Sequence, residues 1–354
     1  MRPASHPVRV GLIGCGMAAG EYAATISAST IATVTACADL RHHAAADFAR
    51  RHHIPHILAV AGLLDPAVTD IAVVLTPPPS HARLAAEAIA AGLPGVYVEK
   101  PITTSPQHAD ALADAADRAD CTLAAAPDTI LGAPAQTARA AITAGLLGDI
   151  VAASASYLSS GPERWHPSPE PFHAPGAGPL ADMGPYYLAA LTYLLGPIRL
   201  VTGAVATTQP HRMIATGPKA GHAFTARAPT HVTALLQTGT GAPVSFTASF
   251  DTAGTRGPHL EIHGTSATLV LPDPNFHTGG VILQRTGERQ WQPLAPAEPA
   301  ITPAGRGMGV LALAATLLGT AVELPCTGRA AAHVVSIIDA IYQAAISGAV
   351  VRIR

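Results

Sequence analysis

The stretch Val8-Arg9-Val10-Gly11-Leu12-Ile13-Gly14-Cys15-Gly16-Met17-Ala18-Ala19 joins a β-branched, apolar run to two closely spaced glycines and then to helix formers. A strand over Val8–Ile13 that turns at once into a helix over Ala18–Ser27 fits a Gly-x-Gly-x-x-Ala dinucleotide fingerprint. Gly14 permits the tight turn, Gly16 lets the backbone approach a pyrophosphate, and the small Ala19 lets helix and strand pack closely, while the helix N-terminus favours the anion. Met17 and Ala18 stand at the start of the helix and belong to the same cradle. A second β-rich run, Thr33–Asp39, ends on a carboxylate twenty residues beyond Ala19, placed to accept bonds from the adenosine ribose hydroxyls. That charge repels a 2′-phosphate and points to NAD, with NADP the alternative if Arg41 holds the phosphate. An ordinary strand-to-helix turn, with Asp39 as a cap for a helix from Arg41, is the competing explanation. The strand, the spacing and the acid together favour the cofactor site.

Outward from this point, short β-branched or apolar runs alternate with Ala-rich stretches of helical length as far as Pro127, the pattern of parallel βαβ units. Strands are expected at Ile71–Leu75, Val96–Glu99 and Cys121–Ala126, and helices at Arg41–His52, His81–Ala91 and Pro106–Ala119. The last helix has Ser105 as N-cap and Pro106 at its first position. Beyond Ala126 the rhythm changes. A helix over Ala133–Ala144 and a strand over Val151–Leu158 lead into a Gly/Pro/His-rich loop, Ser159–Pro179, and then a helix over Met183–Leu195 stopped by Gly196-Pro197. Consecutive strand-like runs, among them Val232–Leu236, Val244–Phe250 and His259–Gly264, argue for an antiparallel sheet, and helices over Met308–Leu318 and Ala330–Ser347 precede an extended tail. The expected fold class is α/β, with a doubly wound parallel sheet over 1–127 and an α/β domain with a mostly antiparallel sheet over 128–354.

Of 354 residues, 49% are hydrophobic and 12% charged, about half the roughly 25% usual in soluble domains, so a packed core is expected beneath a weakly charged surface. With 21 Lys+Arg against 23 Asp+Glu and a net charge of −2, the chain lacks the basic excess that nucleic acid or an anionic membrane demands, and a small-molecule partner fits better. The longest apolar run, Val310–Val322, is shorter than the roughly 18 residues of a membrane span and is flanked by Arg306 and Glu323. Cys15, Cys37, Cys121 and Cys326 show no metal-ligand or paired-thiol spacing and suit buried thiols of a reducing compartment, by default the cytoplasm. Leu12-Ile13-Gly14-Cys15 imitates a lipoprotein cleavage site, but the apolar run before it is too short for a signal peptide. The histidines form no i,i+4 pairs with carboxylates, and no metal site is expected.

Thr76-Pro77-Pro78-Pro79-Ser80-His81, Glu99-Lys100-Pro101 and Gly176-Ala177-Gly178-Pro179-Leu180-Ala181-Asp182-Met183-Gly184-Pro185-Tyr186, taken in order with the glycine loop, resemble the glucose-fructose oxidoreductase, inositol dehydrogenase and rhizopine catabolism (Gfo/Idh/MocA) family. The resemblance implies a Rossmann domain followed by an α/β domain with a large open sheet, NAD(P)-linked oxidation or reduction of a sugar or cyclitol hydroxyl, and oligomers packed through the sheets. It also implies that Thr76, Pro77, Pro78 and His81 cover the cofactor, that Glu99 and Lys100 lie beside it, that Lys100 is catalytic, and that a cis bond precedes Pro101. The chemistry of the residues agrees. Lys100 follows a strand at the carboxyl edge of a parallel sheet, and its ammonium suits a substrate oxygen with developing alkoxide character. In the family pattern Asp-x-Gly-x-His-x-x-Asp, this chain keeps Asp182 and Gly184 but has Tyr186 at the His position and Ala189 at the final Asp. A phenol, of ordinary pKa about 10, replaces a near-neutral imidazole as acid/base, as in some members of the family. Structural alternatives are a solvated pair of Glu99 with Lys100, a helix cap at Asp182 and a buried aromatic at Tyr186.

Substrate contacts are expected from Asp128, after the last Rossmann strand, and from Arg164, Trp165, His166 and His173 in the Pro-rich loop, where a ring face stacks on a sugar and imidazoles read hydroxyls. The expected function is an NAD(P)-dependent oxidoreductase acting on a sugar, sugar derivative or cyclitol, as a homodimer or homotetramer. Alternatives are a lyase or glycosidase that uses bound NAD for transient oxidation and a non-enzymatic nucleotide-sensing regulator.

Overall fold

The structure, a computed structural model, describes residues 6–320 and 322–353. They fall into two compact units, one running to Gln136 and taking in Glu298–Val335, the other made of Thr137–Ala297 and the chain from Ser336 onward. The boundary expected at 127/128 lies near the first crossing, after Gln136, and the chain then crosses twice more.

The first unit is built on a parallel sheet of β1 (Val8–Ile13), β2 (Ala32–Ala38), β3 (His56–Ile57), β4 (Ile71–Val74), β5 (Gly95–Val98) and β6 (Thr122–Ala125), in the order β3-β2-β1-β4-β5-β6. The order reverses between β1 and β4, the switch point at which such sheets hold ligands. β4 and β5 are buried along their whole length, as parallel strands covered on both faces must be. The helices are α1 (Ala19–Ser27), α2 (His42–His52), the single turn α3 (Val60–Leu63), α4 (His81–Ala90) and α5 (Pro106–Arg118). At the start of α5 the Ser105 hydroxyl accepts a bond from the His108 backbone N–H at 3.2 Å, the expected N-cap. The short β3 and α3 escape the sequence pattern because neither is long enough to repeat its period.

The first crossing falls within α6 (Ala133–Thr143), and the second unit holds a nine-stranded sheet. Its strands are β7 (Ile150–Leu158), β8 (Ile198–Ala206), β11 (His231–Thr238), β12 (Pro243–Ser249), β13 (Leu260–Gly264), β14 (Ala267–Leu271), β15 (Ile282–Arg285), β16 (Gln292–Pro293) and β17 (Val351–Arg352), while β9 (His211–Met213) and β10 (Ala223–Thr225) form a separate hairpin. The order β16-β15-β14-β13-β7-β12-β11-β8-β17 is antiparallel at every pair except β7–β12, where β7 is inserted between strands that follow it in sequence. One face carries the buried Val232, Ala234, Leu236, Val244 and Phe246. The helix expected over Met183–Leu195 is two helices, α7 (Pro179–Asp182) and α8 (Gly184–Leu195), with Met183 between them. Gly178 leads into α7 at φ 92°, where an added Cβ would lie 2.5 Å from the Pro229 carbonyl oxygen.

The chain then returns to the first unit with α9 (Met308–Leu317), buried on every side from Met308 to Ala315, a helix that can exist only enclosed. It packs on β4, β5 and β6, and the missing side chain of Gly95 makes room for Leu313 and Leu317. The final helix, α10 (Gly328–Ser347), is long and apolar enough to cross a membrane by length and composition, with a mean hydropathy of 1.3. Arg329, His333 and Asp339 interrupt its apolar run. Ala332 and Val335 nevertheless sit in the core of the first unit and Ile341 is fully buried beside Gly203 of β8, as in a helix built into a protein interior.

Asp128 sets the start of α9. Its carboxylate, 1% exposed, accepts the backbone N–H groups of Gly307 at 2.8 Å and Gly309 at 3.0 Å. The position after β6 is therefore spent on holding the returning chain, which corrects the expectation of a substrate contact. Asp128→Ala leaves two buried donors unpaired, and a stability loss on the order of 1–3 kcal/mol is expected in denaturant unfolding; an unchanged midpoint would show that α9 needs no anchor.

Candidate active site

The glycine loop follows β1 with the geometry its sequence demands. Gly14 has φ 101°, and a Cβ there would lie 2.9 Å from the backbone carbon and oxygen of Leu75, so the turn excludes any other residue. Nothing lies within 4 Å of a Cβ added at Gly16, and no side chain caps α1, which leaves open space above the start of that helix. This is a cradle that fits a pyrophosphate. Met17 is 75% exposed at its rim, beside the half-buried Ala18. Asp39 accepts the backbone N–H groups of Cys15 at 3.0 Å and Arg41 at 2.9 Å, and the Arg41 guanidinium lies 3.6 Å away. Burial opposes the charge, but these donors outweigh it and hold the carboxyl below the usual carboxylate range. Asp39 thus braces the glycine loop. The Cys15 thiol lies 3.7 Å from the Ala38 carbonyl oxygen and the Cys37 thiol 3.7 Å from that of Ala45, and the neighbouring Cys37 together with burial pushes the Cys15 thiol up. All four cysteines are free and buried.

The remaining first-unit residues gather at the same carboxyl edge. After β5, Glu99 is buried, with one oxygen accepting the Tyr22 hydroxyl at 3.0 Å and the other the backbone N–H of Lys100. Lys100 is half-buried, and its peptide bond to Pro101 is cis. After β4, Thr76, Pro77 and Pro78 form a turn closed by the Ser80 hydroxyl, 2.8 Å from the Pro77 carbonyl and 2.7 Å from Thr76 Oγ1. His81 is wholly buried with both ring nitrogens on backbone carbonyls.

In the second unit, Asp182 closes α7 and Tyr186 lies in the first turn of α8, half-buried and buried respectively. The break at Met183 replaces the continuous helical face that a four-residue spacing implies. Tyr187 is turned to a different task. Its hydroxyl donates to Asp273 at 2.9 Å and lies 3.0 Å from His259 Nδ1, and burial with the Asp273 charge raises it far above an ordinary phenol. The Pro-rich loop divides. Arg164 and Trp165 are exposed, the latter 61%, and Trp165, the half-buried His166 and Phe172 form a ledge of rings 5.1–6.4 Å apart. His173, expected on the substrate, is instead 1% exposed and lies 3.1 Å from Glu163, which corrects that expectation.

Residues 8–126 match the family described as "Oxidoreductase family, NAD-binding Rossmann fold", and residues 135–270 match the "GFO/IDH/MocA C-terminal domain". The chain belongs to the Gfo/Idh/MocA oxidoreductase family. Within that family its first unit is the NAD-binding domain, and the protein is an NAD(P)-dependent oxidoreductase. No curated protein sequence matches it significantly. Among solved structures it is similar to an NAD-binding oxidoreductase from Klebsiella pneumoniae, with 22% identity, a TM-score of 0.81 and coverage of 98% of this chain and 99% of that one. A levoglucosan dehydrogenase in complex with NADH and levoglucosan gives 19% identity, a TM-score of 0.83 and coverage of 98% and 99%. The WlbA dehydrogenase from Bordetella pertussis in complex with NADH and UDP-GlcNAcA gives 20%, 0.77, and again 98% and 99%. At such identities these likenesses show the shared fold.

Buried charges hold the Pro-rich loop in place. Arg212 of β9, 5% exposed, pairs with Glu163 at 2.9 Å and with Asp251, and Thr230 donates to Asp251 at 2.6 Å. No local signal marks these partners, which lie dozens of residues apart. Burial opposes the Glu163 charge, but His173 and Arg212 hold its carboxyl below the ordinary value. A carboxyl so depressed contributes stability that is complete above its unfolded pKa of about 4.3 and is lost as pH falls through the folded value. Acid unfolding should therefore steepen below about pH 4–5, and Glu163→Gln should flatten that slope. At neutral pH Arg212→Leu, which takes the cation away from two buried carboxylates, should cost on the order of 3–5 kcal/mol. Wild-type midpoints in both variants would exclude the anchor.

Proposed function

We propose that this oxidoreductase moves hydride between the nicotinamide and a secondary hydroxyl or ketone of a sugar, sugar derivative or cyclitol. The observation that carries the proposal is the Glu99-Lys100-Pro101 turn on the carboxyl edge that also carries the glycine cradle, with Glu99 held by Tyr22 and by the Lys100 backbone. A dinucleotide whose pyrophosphate is held by the Gly14–Gly16 cradle would supply or accept the hydride through its nicotinamide. Lys100 donates a hydrogen bond to the reacting oxygen and stabilises its negative charge. Tyr186 gives the hydroxyl proton in reduction and takes it in oxidation, and Asp182 supports it. Trp165, His166 and Arg164 suit the sugar side, as a ring ledge with donors at its rim. Solved relatives bind levoglucosan, L-sorbose, UDP-GlcNAcA and L-tartaric acid beside NAD(H), ligands that are all oxygen-rich. Asp39 favours NAD over NADP, and Arg41 is the residue through which NADP would be held. The four unpaired thiols suit the cytoplasm.

A panel of polyols, sugars and glycosides with NAD and NADP, followed by absorbance and product mass, tests the proposal. Lys100→Ala and Tyr186→Phe should each lower turnover by about 10²–10⁴-fold with NADH affinity intact. Near-wild-type turnover in either variant removes that residue's role, and glycoside breakdown without net reduction would point to transient oxidation.

The outer face of the nine-stranded sheet suits self-association. Thr233, Leu235, Ser245 and Thr247 form exposed or half-exposed cross-strand rows, and Ser154 and Ser156 extend them on β7. A broad, weakly charged strand surface of this kind fits a homodimer or homotetramer. Light scattering should show one at micromolar concentration, and Leu235→Arg should shift it toward monomer; a monomeric wild type contradicts the proposal.

A further inference from the structure

Two turns at the carboxyl edge of the parallel sheet are poor in backbone donors. The one after β4 reads Thr76-Pro77-Pro78-Pro79, the one after β5 contains Pro101, and a proline has no N–H. His81, 0% exposed, spans them, with Nε2 2.6 Å from the Thr76 carbonyl oxygen and Nδ1 2.7 Å from that of Pro101. A carbonyl oxygen only accepts, so each ring nitrogen has to donate. A neutral imidazole has one N–H and an imidazolium has two.

We infer that His81 is a positioning residue, a doubly donating imidazolium that clamps the turn beside the cofactor cradle to the peptide that follows Lys100. The inference rests on the proposal that Lys100 acts on the reacting oxygen. Ser80 closes the first turn upon itself, and Thr103 Oγ1 donates to the Ser105 carbonyl at 2.7 Å just past the second, so each turn is firm and His81 supplies a tie from one to the other. The charged groups on the surrounding elements are Glu99 and Lys100 beside Pro101, Arg83 of α4, which pairs with Glu87 at 2.6 Å on the exposed side of that helix, and His108, Asp110, Asp114, Asp117 and Arg118 of α5, all exposed. The Thr76–Ser80 turn has none. Loss of one ring proton turns a lone pair toward a carbonyl at hydrogen-bond distance, and the repulsion frees one of the two turns.

A proton–nitrogen correlation spectrum of the ¹⁵N-histidine-labelled protein near neutral pH tests the inference without any turnover. The His81 signals, identified by their loss in His81→Gln, should show both ring nitrogens protonated; a neutral tautomer overturns the clamp. In NADH titrations, affinity should weaken as pH rises through the deprotonation of His81, a dependence that His81→Gln, with an N–H donor and no titration, should lack. Identical pH profiles also overturn it. His81→Leu, which keeps bulk without donors, should lower kcat by about 10²-fold with substrate KM moved far less, the scale of a reacting group misplaced by about 1 Å, and His81→Gln should recover part of the loss. Wild-type kcat and NADH affinity in His81→Leu would refute the role, and the wild-type spectrum decides even where that variant does not fold. Full turnover in Lys100→Ala would instead remove the proposed role of Lys100, leaving the spectrum and the NADH titration to judge the clamp by themselves.

Discussion

The close approach of Gly14 to the end of β4 is the constraint on which the first unit depends. A single added carbon at Gly14 would sit 2.9 Å from the Leu75 carbonyl carbon and oxygen, so the turn after β1 and the turn after β4 lie directly against each other. That contact sits where the strand order reverses, at the switch point of the sheet. The neighbouring parts follow from it. Asp39 reaches back from β2 to the Cys15 amide, and the Thr76 turn passes beside the cradle. On the other side, Glu99 brings the turn after β5 into line through Tyr22 of α1.

The scarcity of charge acquires a physical meaning in this setting. Only 12% of the residues are charged, yet several are inside, each joined to polar partners: Glu99 with Tyr22, Asp128 with the start of α9, and Arg212 with Glu163 and Asp251. Buried ionised groups are expensive unless paired and hydrogen-bonded, so each of these anchors ties down backbone that apolar packing alone would leave adjustable. They are found where loops, rather than regular elements, must hold a shape: the turn after β5, the returning chain at Gly307 and the Pro-rich loop before α7. The Tyr187–Asp273–His259 contact does the same for a helix and two strand ends.

Much of this was legible locally. The strand-turn-helix at Gly14, the acid ending β2, the Ser105 cap and the Glu99-Lys100-Pro101 turn are each decided by a few adjacent residues, and each has the form its pattern implies. Four features were not legible. The parallel pairing of β7 with β12, the return of α9 to the first unit, the interruption at Met183 and the burial of His173 depend on partners far along the chain. Asp128 shows the difference well. Its place after β6 makes it a plausible substrate ligand in one dimension, and two amides 179 and 181 residues away make it a helix anchor in three.

By itself, then, the sequence determined the alternation of strands and helices, the cofactor cradle and the sheet edge to which Lys100 belongs, because periodicity, glycine conformation and strand polarity are properties of short segments. Tertiary structure alone decided which polar side chains remain near that edge for chemistry and which are consumed in holding it, because a buried donor or charge takes the partner that folding brings within 3 Å or so. His81 stands at that division. Its sequence position places it at the start of a helix, and only the folded chain brings Thr76 and Pro101 to its two nitrogens.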